Sequence, residues 1–127
     1  MTELNYARSF RDLAVYKKSR KVSRAIFEMS KTFPKEEIYS LTDQMRRASR
    51  SIGAQIAEAW AKRRYAAHFL SKLTDSDGEL QETLHWLFTA HECGYLSKLQ
   101  LDELQAKLAG TGRQLGSMIN RHESFCY

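Results

Sequence analysis

The chain has 127 residues, a length typical of one domain, and a net charge of +5, which favours a polyanionic partner. Hydrophobic residues make up 43%, which excludes an intrinsically disordered chain, and no apolar run is long enough for a leader or a membrane span. One proline and six glycines leave few helix breakers, so we expect an all-α fold. Without a leader, Cys93 and Cys126 are predicted to be reduced thiols of a cytoplasmic protein.

Two helices are predicted in the first half of the chain. The first begins near Phe10 or Asp12 and ends before Pro34, because the residue before a proline avoids the α conformation. The second runs from about Ser40 to Arg63, and Gly53 within it predicts a kink or the close approach of another helix. Its apolar stripe has steps of four and three residues: Met45, Ala48, Ile52, Ile56 and Ala59.

Two more helices are predicted in the second half. The third covers about 66–92, with a seam that includes Leu70, Asp77 and Leu84. Gly94 suits the left-handed position that ends a helix, and a capping box at Ser97 starts the fourth. The four elements predict an antiparallel up-down four-helix bundle with long helices, one domain over 1–127, in which 1–9 and 122–127 are flexible tails.

Trp86 and its neighbours make the end of the third helix apolar on more than one side. A helix that is apolar on two sides needs two partners, so one interpretation is a subunit interface in addition to the core. The alternative is that Trp86 lies half exposed on a monomer.

Several motifs resemble those of one bacterial family. Residues 44–48 (Q-M-R-R-A) and 51–59 (S-I-G-A-Q-I-A-E-A) are similar to its signature Q-L-R-R-A…S-I-P-S-N-I-A-E-G, and further landmarks follow in the family's order at 33–34, 69–71, 76–80 and 94–97. The family comprises four-helix-bundle proteins from open reading frames inside ribosomal-RNA intervening sequences; a distant member is the accessory variability determinant of diversity-generating retroelements. The resemblance implies an antiparallel bundle, a homopentameric ring and, in some members, nucleic-acid binding. Gly53 and Gln55 replace the family's Pro and Asn.

Basic residues on the first two predicted helices are the main functional signal. Arg20 and Arg24 are one turn apart, as are Arg46 and Arg50, and side-by-side packing would merge them into a cationic strip that contacts phosphates. The alternative is a solvated face whose charges are paired locally with acidic side chains such as Asp12. The candidate nucleic-acid-binding residues are Lys17, Arg20, Lys21, Arg24, Arg46, Arg47, Arg50, Lys62, Arg63 and Arg64.

Polar residues near the seams of the second and third helices predict a structural polar layer that fixes helix register. The alternative is acid–base chemistry by Glu58, Asp77 and Glu79 in a small-molecule enzyme. The chain has no phosphate-binding glycine loop, nucleophile elbow or zinc motif, so we predict no enzymatic activity, metal or cofactor. The candidate polar layer comprises Gln55, Glu58, Ser76 and Glu79, with Arg47.

These observations predict a non-enzymatic, basic, oligomeric scaffold that binds the phosphate backbone of RNA or DNA. The alternative is a protein-interaction module that docks a partner enzyme such as a reverse transcriptase, without direct nucleic-acid binding. Affinity that falls steeply with salt would distinguish the first function from the second.

Overall fold

Four long helices account for most of the fold in the computed structural model, which describes residues 7–127. They are α1 (Ala14–Ser30), α2 (Leu41–Ala61), α3 (Ala66–Glu92) and α4 (Lys98–Asn120), and no strand occurs among the described residues. Successive helices pack against one another, and α1 also packs against α4. The predicted antiparallel four-helix bundle is confirmed. No helix within 7–127 is both long and apolar enough to cross a membrane.

The start of the described chain is ordered by a capped turn. Ser9 accepts a hydrogen bond from the backbone N–H of Arg11, and the Asp12 carboxylate accepts one in return from the N–H of Ser9. This capping box closes a 3₁₀ turn over Phe10–Asp12, and the extended backbone of Leu13 then delays α1 until Ala14. Residues 7–9 of the predicted N-terminal tail are therefore structured, while 1–6 lie outside the described residues.

Gly53 marks a close approach of α1 to α2. A Cβ atom at this buried glycine would lie 3.0 Å from the Ser19 Oγ and 3.4 Å from the Tyr16 Cε1. Because α2 is a single helix from Leu41 to Ala61, the glycine serves close approach and does not interrupt the helix. Of the two predicted roles for Gly53, a kink or the close approach of another helix, the structure shows the close approach.

The seam of α3 agrees with the predicted one at Leu73, Leu80 and Leu87, which are buried, but the positions between them are shifted by one residue. The buried positions include Phe69, Ser76 and Thr83 instead of Leu70, Asp77 and Leu84, which are only half-buried. Polar residues fit inside because their hydroxyls donate to carbonyl oxygens. Ser76 Oγ bonds to the carbonyl of Ile52 at 2.8 Å, and Thr83 Oγ1 bonds within α3 at 2.8 Å.

Two predicted features of the turn between α3 and α4 are confirmed. Gly94 has a φ of 79°, the left-handed conformation that suits a residue without a side chain. Ser97 accepts from the N–H of Gln100, whose side chain accepts from the N–H of Ser97.

The C-terminal segment packs against the bundle, contrary to the predicted tail over 122–127. A 3₁₀ helix over His122–Phe125 places the ring of Phe125 only 1% exposed, with its centroid 6.0 Å from that of Phe69. Tyr127 beyond it is 79% exposed. The segment is ordered because one buried aromatic side chain removes a large apolar area from water.

Candidate nucleic-acid interface

An open groove between α1 and α2 carries part of the predicted basic surface. Antiparallel packing sets Arg20 and Arg24 of α1 opposite Arg50 of α2, over a floor formed by Gly53 and small neighbours. The groove has a volume of about 480 Å³. Its aromatic lining comes from Phe10, Tyr16 and Phe27.

Aromatic rings orient the arginines of this groove. The Phe27 ring centroid lies 4.7 Å from the guanidinium carbon of Arg46 and 5.4 Å from that of Arg50. Arg46 Nε also donates to the Ser30 Oγ at 2.8 Å, and Arg20 donates to the Tyr16 hydroxyl at 3.0 Å. Cation–π contacts and these hydrogen bonds hold the side chains without neutralising them. We call the surface of Arg20, Arg24, Arg46 and Arg50 the arginine groove.

The arginine groove has no acidic counter-charge within the described chain. None of its four arginines forms an ion pair there. The acids nearby in sequence have other partners: Glu28 pairs with Lys31 at 3.1 Å, and Asp43 with Arg47 at 3.7 Å. The Asp12 carboxylate accepts hydrogen bonds from the backbone N–H groups of Arg8 and Ser9. The bond from Arg8 is the main cause of the lowered pKa of Asp12. Arg47 is thus set apart from the groove.

The predicted lysines do not join this groove. Lys21 lies on the opposite flank of α1, where it faces α4 beside Lys18. Lys17 is exposed, and its charge makes a lesser contribution to the lowered pKa of Asp12. The first helix therefore presents Arg20 and Arg24 to α2, and Lys18 and Lys21 to α4, so these basic residues form two surfaces.

The third predicted cluster lies at the C-terminal end of α2. Arg63 stacks on Trp60, with its guanidinium carbon 3.5 Å from the ring centroid, and lies 5.0 Å from the ring of Tyr127. Its Nε donates to the Trp60 carbonyl at 2.9 Å. Arg63 thus fastens the C-terminal segment, while Lys62 and Arg64 are exposed.

The four candidate polar-layer residues do not meet in one layer. Lys72, which the sequence reasoning did not single out, bridges Gln55 Oε1 at 3.4 Å and Glu58 Oε2 at 2.9 Å near the surface. The hydrogen bond from Lys72 to Glu58 lowers the pKa of Glu58. Ser76 bonds to a backbone carbonyl, as described above. Glu79 has no side-chain partner within 7–127, and its burial raises the pKa of its carboxyl group.

Glu58 therefore does not form the buried acid–base pair that the enzymatic alternative requires, because it is exposed and bound to Lys72. Cys93 and Cys126 are free thiols. No cluster of three potential metal-ligating side chains occurs in the part of the chain that the structure describes.

The sequence reasoning missed the aromatic lining of the groove. Tyr16 and Arg20 are one helical turn apart, a local signal that the pair could interact. The contacts of Phe27 with Arg46 and Arg50 join different helices, and spacing along the sequence does not reveal them.

Comparisons with known proteins agree with this fold. The family described as 23S rRNA-intervening sequence protein matches residues 11–117. A crystal structure of a protein of unknown function from the S23 ribosomal protein family of Bacteroides thetaiotaomicron is 27% identical, with a TM-score of 0.75 over 84% of this chain and 95% of that one. A search of curated proteins finds no match. Family match and fold together confirm the resemblance: this chain belongs to the 23S rRNA-intervening sequence protein family.

Proposed function

We propose that this protein acts in the cytoplasm and binds nucleic acid without enzymatic turnover, by contacting the phosphate backbone in the arginine groove. The observation that carries the proposal is a set of four arginines from two helices, three lining the groove and Arg46 beside them on the Phe27 ring, with no carboxylate partner in the described chain. Unpaired cations on an open surface release counterions from nucleic acid when they bind it.

The chemistry of the groove favours arginine-mediated recognition. A guanidinium group donates two parallel hydrogen bonds to a phosphate and can also stack on a base. The half-buried rings of Tyr16 and Phe27 fix the direction of Arg20 and Arg50 and so reduce the ordering cost of binding. Such a groove follows the backbone and has little preference for base sequence.

We also propose that the protein acts as a homo-oligomer, with the pentamer of the family resemblance as the favoured assembly. Large apolar side chains form an exposed patch at Ile38 and Tyr39 in the α1–α2 connection, and others are exposed separately on α3 and at the start of α4. Such a patch supports burial against another copy, and a ring would repeat the arginine groove and multiply its phosphate contacts. The exposed residues are Ile38, Tyr39, Phe88 and Leu99.

The test is a salt titration with labelled structured RNA and duplex DNA, after light scattering has given the mass in solution. We expect Arg24→Gln/Arg50→Gln to weaken binding and to reduce the slope of log affinity against log salt by about 2, because each lost phosphate contact removes about 1. The control Lys35→Gln/Lys98→Gln removes the same charge elsewhere and should change the slope less. Equal losses in both variants, or no binding at low salt, would refute the proposal.

The second candidate is a protein-interaction module that docks a partner enzyme, such as a reverse transcriptase, and does not bind nucleic acid directly. The exposed Ile38 and Tyr39 favour it, because a partner could cover the same patch. Affinity for a protein partner that persists at high salt, with no nucleic-acid binding at low salt, would select this function.

A further inference from the structure

A second basic cleft lies on the other flank of α1, against α4. Lys18 and Lys21 enter it from α1, and Lys107 and Arg113 enter from α4. Its floor includes Gly110, and its volume is about 300 Å³. We call it the α1–α4 cleft. It shares none of its lining residues with the arginine groove.

Two cationic groups converge above the glycine of this floor. A Cβ atom on Gly110 would lie 3.7 Å from the Arg113 Nη2 and 3.8 Å from the Lys18 Nζ. Gly110 is buried, so the lack of a side chain keeps open the space between the two groups. Positive charges this close repel each other, and an anion bound between them would relieve that repulsion.

No acidic side chain of the described chain neutralises the cleft. Lys18, Lys21, Lys107 and Arg113 form no ion pair within 7–127. Glu103 precedes Lys107 by one turn, the order that favours a helical ion pair, yet the two are not paired. Asp102, the other acid of this segment, pairs with Lys98 instead. The cationic charge of the cleft therefore remains available to a ligand.

The lining of the cleft indicates the class of that ligand. Phe10, Tyr16 and Phe27 line the arginine groove, whereas no aromatic side chain lines the α1–α4 cleft, so it offers no surface on which a base could stack. Lysine binds phosphate as a compact point charge, whatever the orientation of the phosphate. Its volume is smaller than that of the arginine groove, about 300 Å³ against about 480 Å³, and suits a few linked phosphates better than a polynucleotide strand.

From this juxtaposition we propose that the α1–α4 cleft binds a small oligophosphate anion, supplied either as free triphosphate or as the triphosphate group of a nucleotide. The site acts independently of nucleic-acid binding in the arginine groove. Lys18 and Arg113 contact the anion over Gly110, and Lys21 and Lys107 lie at its sides.

Isothermal titration of the full chain with tripolyphosphate, ATP and adenosine tests the proposal. We expect both phosphate compounds to bind and adenosine not to bind. The Lys18→Gln/Arg113→Gln variant should lose affinity by about tenfold or more, since a hydrogen bond to a charged group contributes a factor of this size. Equal affinity for tripolyphosphate and ATP would support recognition of the phosphate chain alone. Tighter binding of ATP would support a nucleotide as the source.

The matched control is Arg20→Gln/Arg24→Gln, which removes two charges from the opposite flank of the same helix. It should keep its affinity for tripolyphosphate while its affinity for nucleic acid falls. Equal weakening by the two double variants would show a response to net charge only and would overturn the proposal. So would undetectable tripolyphosphate binding at low salt. Because the control targets the arginine groove, failure of one site is distinguishable from failure of the other.

Discussion

Gly53 determines how closely the two helices of the arginine groove can approach. Ser19, which faces it, is buried, and its hydroxyl donates to the Tyr16 carbonyl at 2.6 Å. The Ser19 hydroxyl therefore cannot move away freely from a new atom on α2. The floor of the groove depends on this one missing Cβ.

We expect Gly53→Ala to destabilise the fold by about 1–3 kcal/mol, the usual effect of overpacking, in spite of the better helix propensity of alanine. Gly78→Ala is the control, because nothing lies within 4 Å of its Cβ position. That variant should raise the free energy of unfolding by up to about 1 kcal/mol. Urea denaturation measures both. If Gly53→Ala stabilised the fold as much as Gly78→Ala, Ser19 and Tyr16 would have to move and make room for the new Cβ atom.

Individual contacts between helices were the part of the candidate site that the sequence could not supply. Arg46 bonds to Ser30, and Lys72 bridges Gln55 and Glu58, yet neither contact follows from spacing along one helix. Such contacts depend on the relative rotation of two packed helices. The basic character of the surface could be predicted, but its division into two clefts could not.

At the scale of elements, Glu37 links the α1–α2 connection to the α3–α4 turn. Its carboxylate accepts hydrogen bonds from the Ser40 hydroxyl at 2.6 Å and from the Tyr95 hydroxyl at 2.8 Å. These bonds, that of Ser40 most strongly, lower the pKa of Glu37. The same contact raises the pKa of Tyr95 to about 12. The folded state therefore favours the ionised carboxylate of Glu37 and the neutral phenol of Tyr95.

The Glu37 contact should make stability depend on pH in acid. Because the folded pKa of Glu37 is depressed, its contribution is complete above the ordinary pKa of 4.5 and is lost as pH falls through the folded value. We expect Glu37→Gln to melt below wild type at neutral pH, with the difference shrinking below pH 4.5. Circular dichroism melts measure this. Glu36→Gln is the control. A difference in melting temperature between wild type and Glu37→Gln that stayed constant with pH would contradict the expectation.

Tyr95 gives the opposite dependence in alkali. Its raised pKa means that the contribution is complete below the ordinary value of 10.0 and is lost as pH rises towards about 12. Melts of wild type and Tyr95→Phe should therefore converge in strong alkali.

Most element boundaries could be predicted because strong local signals mark them. Gly94, Ser97 and Gln100 define the α3–α4 turn by their own backbone and side-chain chemistry. Part of the α3 seam was missed by one residue for a different reason, while Leu73, Leu80 and Leu87 are buried as predicted. Hydropathy disfavours Ser76 and Thr83 as core residues, but their hydroxyls are satisfied by carbonyl oxygens, so both are buried at no great cost.

At the scale of the whole molecule, periodicity predicted the bundle but not the closure of its end. The antiparallel order follows from four apolar stripes and short connections. Phe125 lies in a short terminal segment without helical period, so nothing in the local pattern marks it as core. Its contact with Phe69, far away in sequence, buries the ring and helps to make the segment part of the fold.

Phe125→Ala should therefore cost about 3–5 kcal/mol, the range for truncating a buried phenylalanine. Tyr127→Ala is the control, because its ring is mostly exposed and only touches Arg63; we expect a change of no more than about 1 kcal/mol. Urea denaturation followed by helical circular dichroism gives both values. Equal, small changes would restore the tail interpretation of 122–127.

The two tryptophans lie at opposite ends of the bundle, which makes the protein its own optical reporter. Trp86 lies beside Gln44, and about 24 Å of α2 separates that residue from Trp60. Trp60 is 9% exposed and covered by a guanidinium group, whereas the indole of Trp86 donates to Glu82 in contact with solvent. A neutral aqueous quencher such as acrylamide would reach Trp86 first. Single-tryptophan variants would then distinguish events at the two ends of the bundle by emission colour and lifetime, without any attached dye.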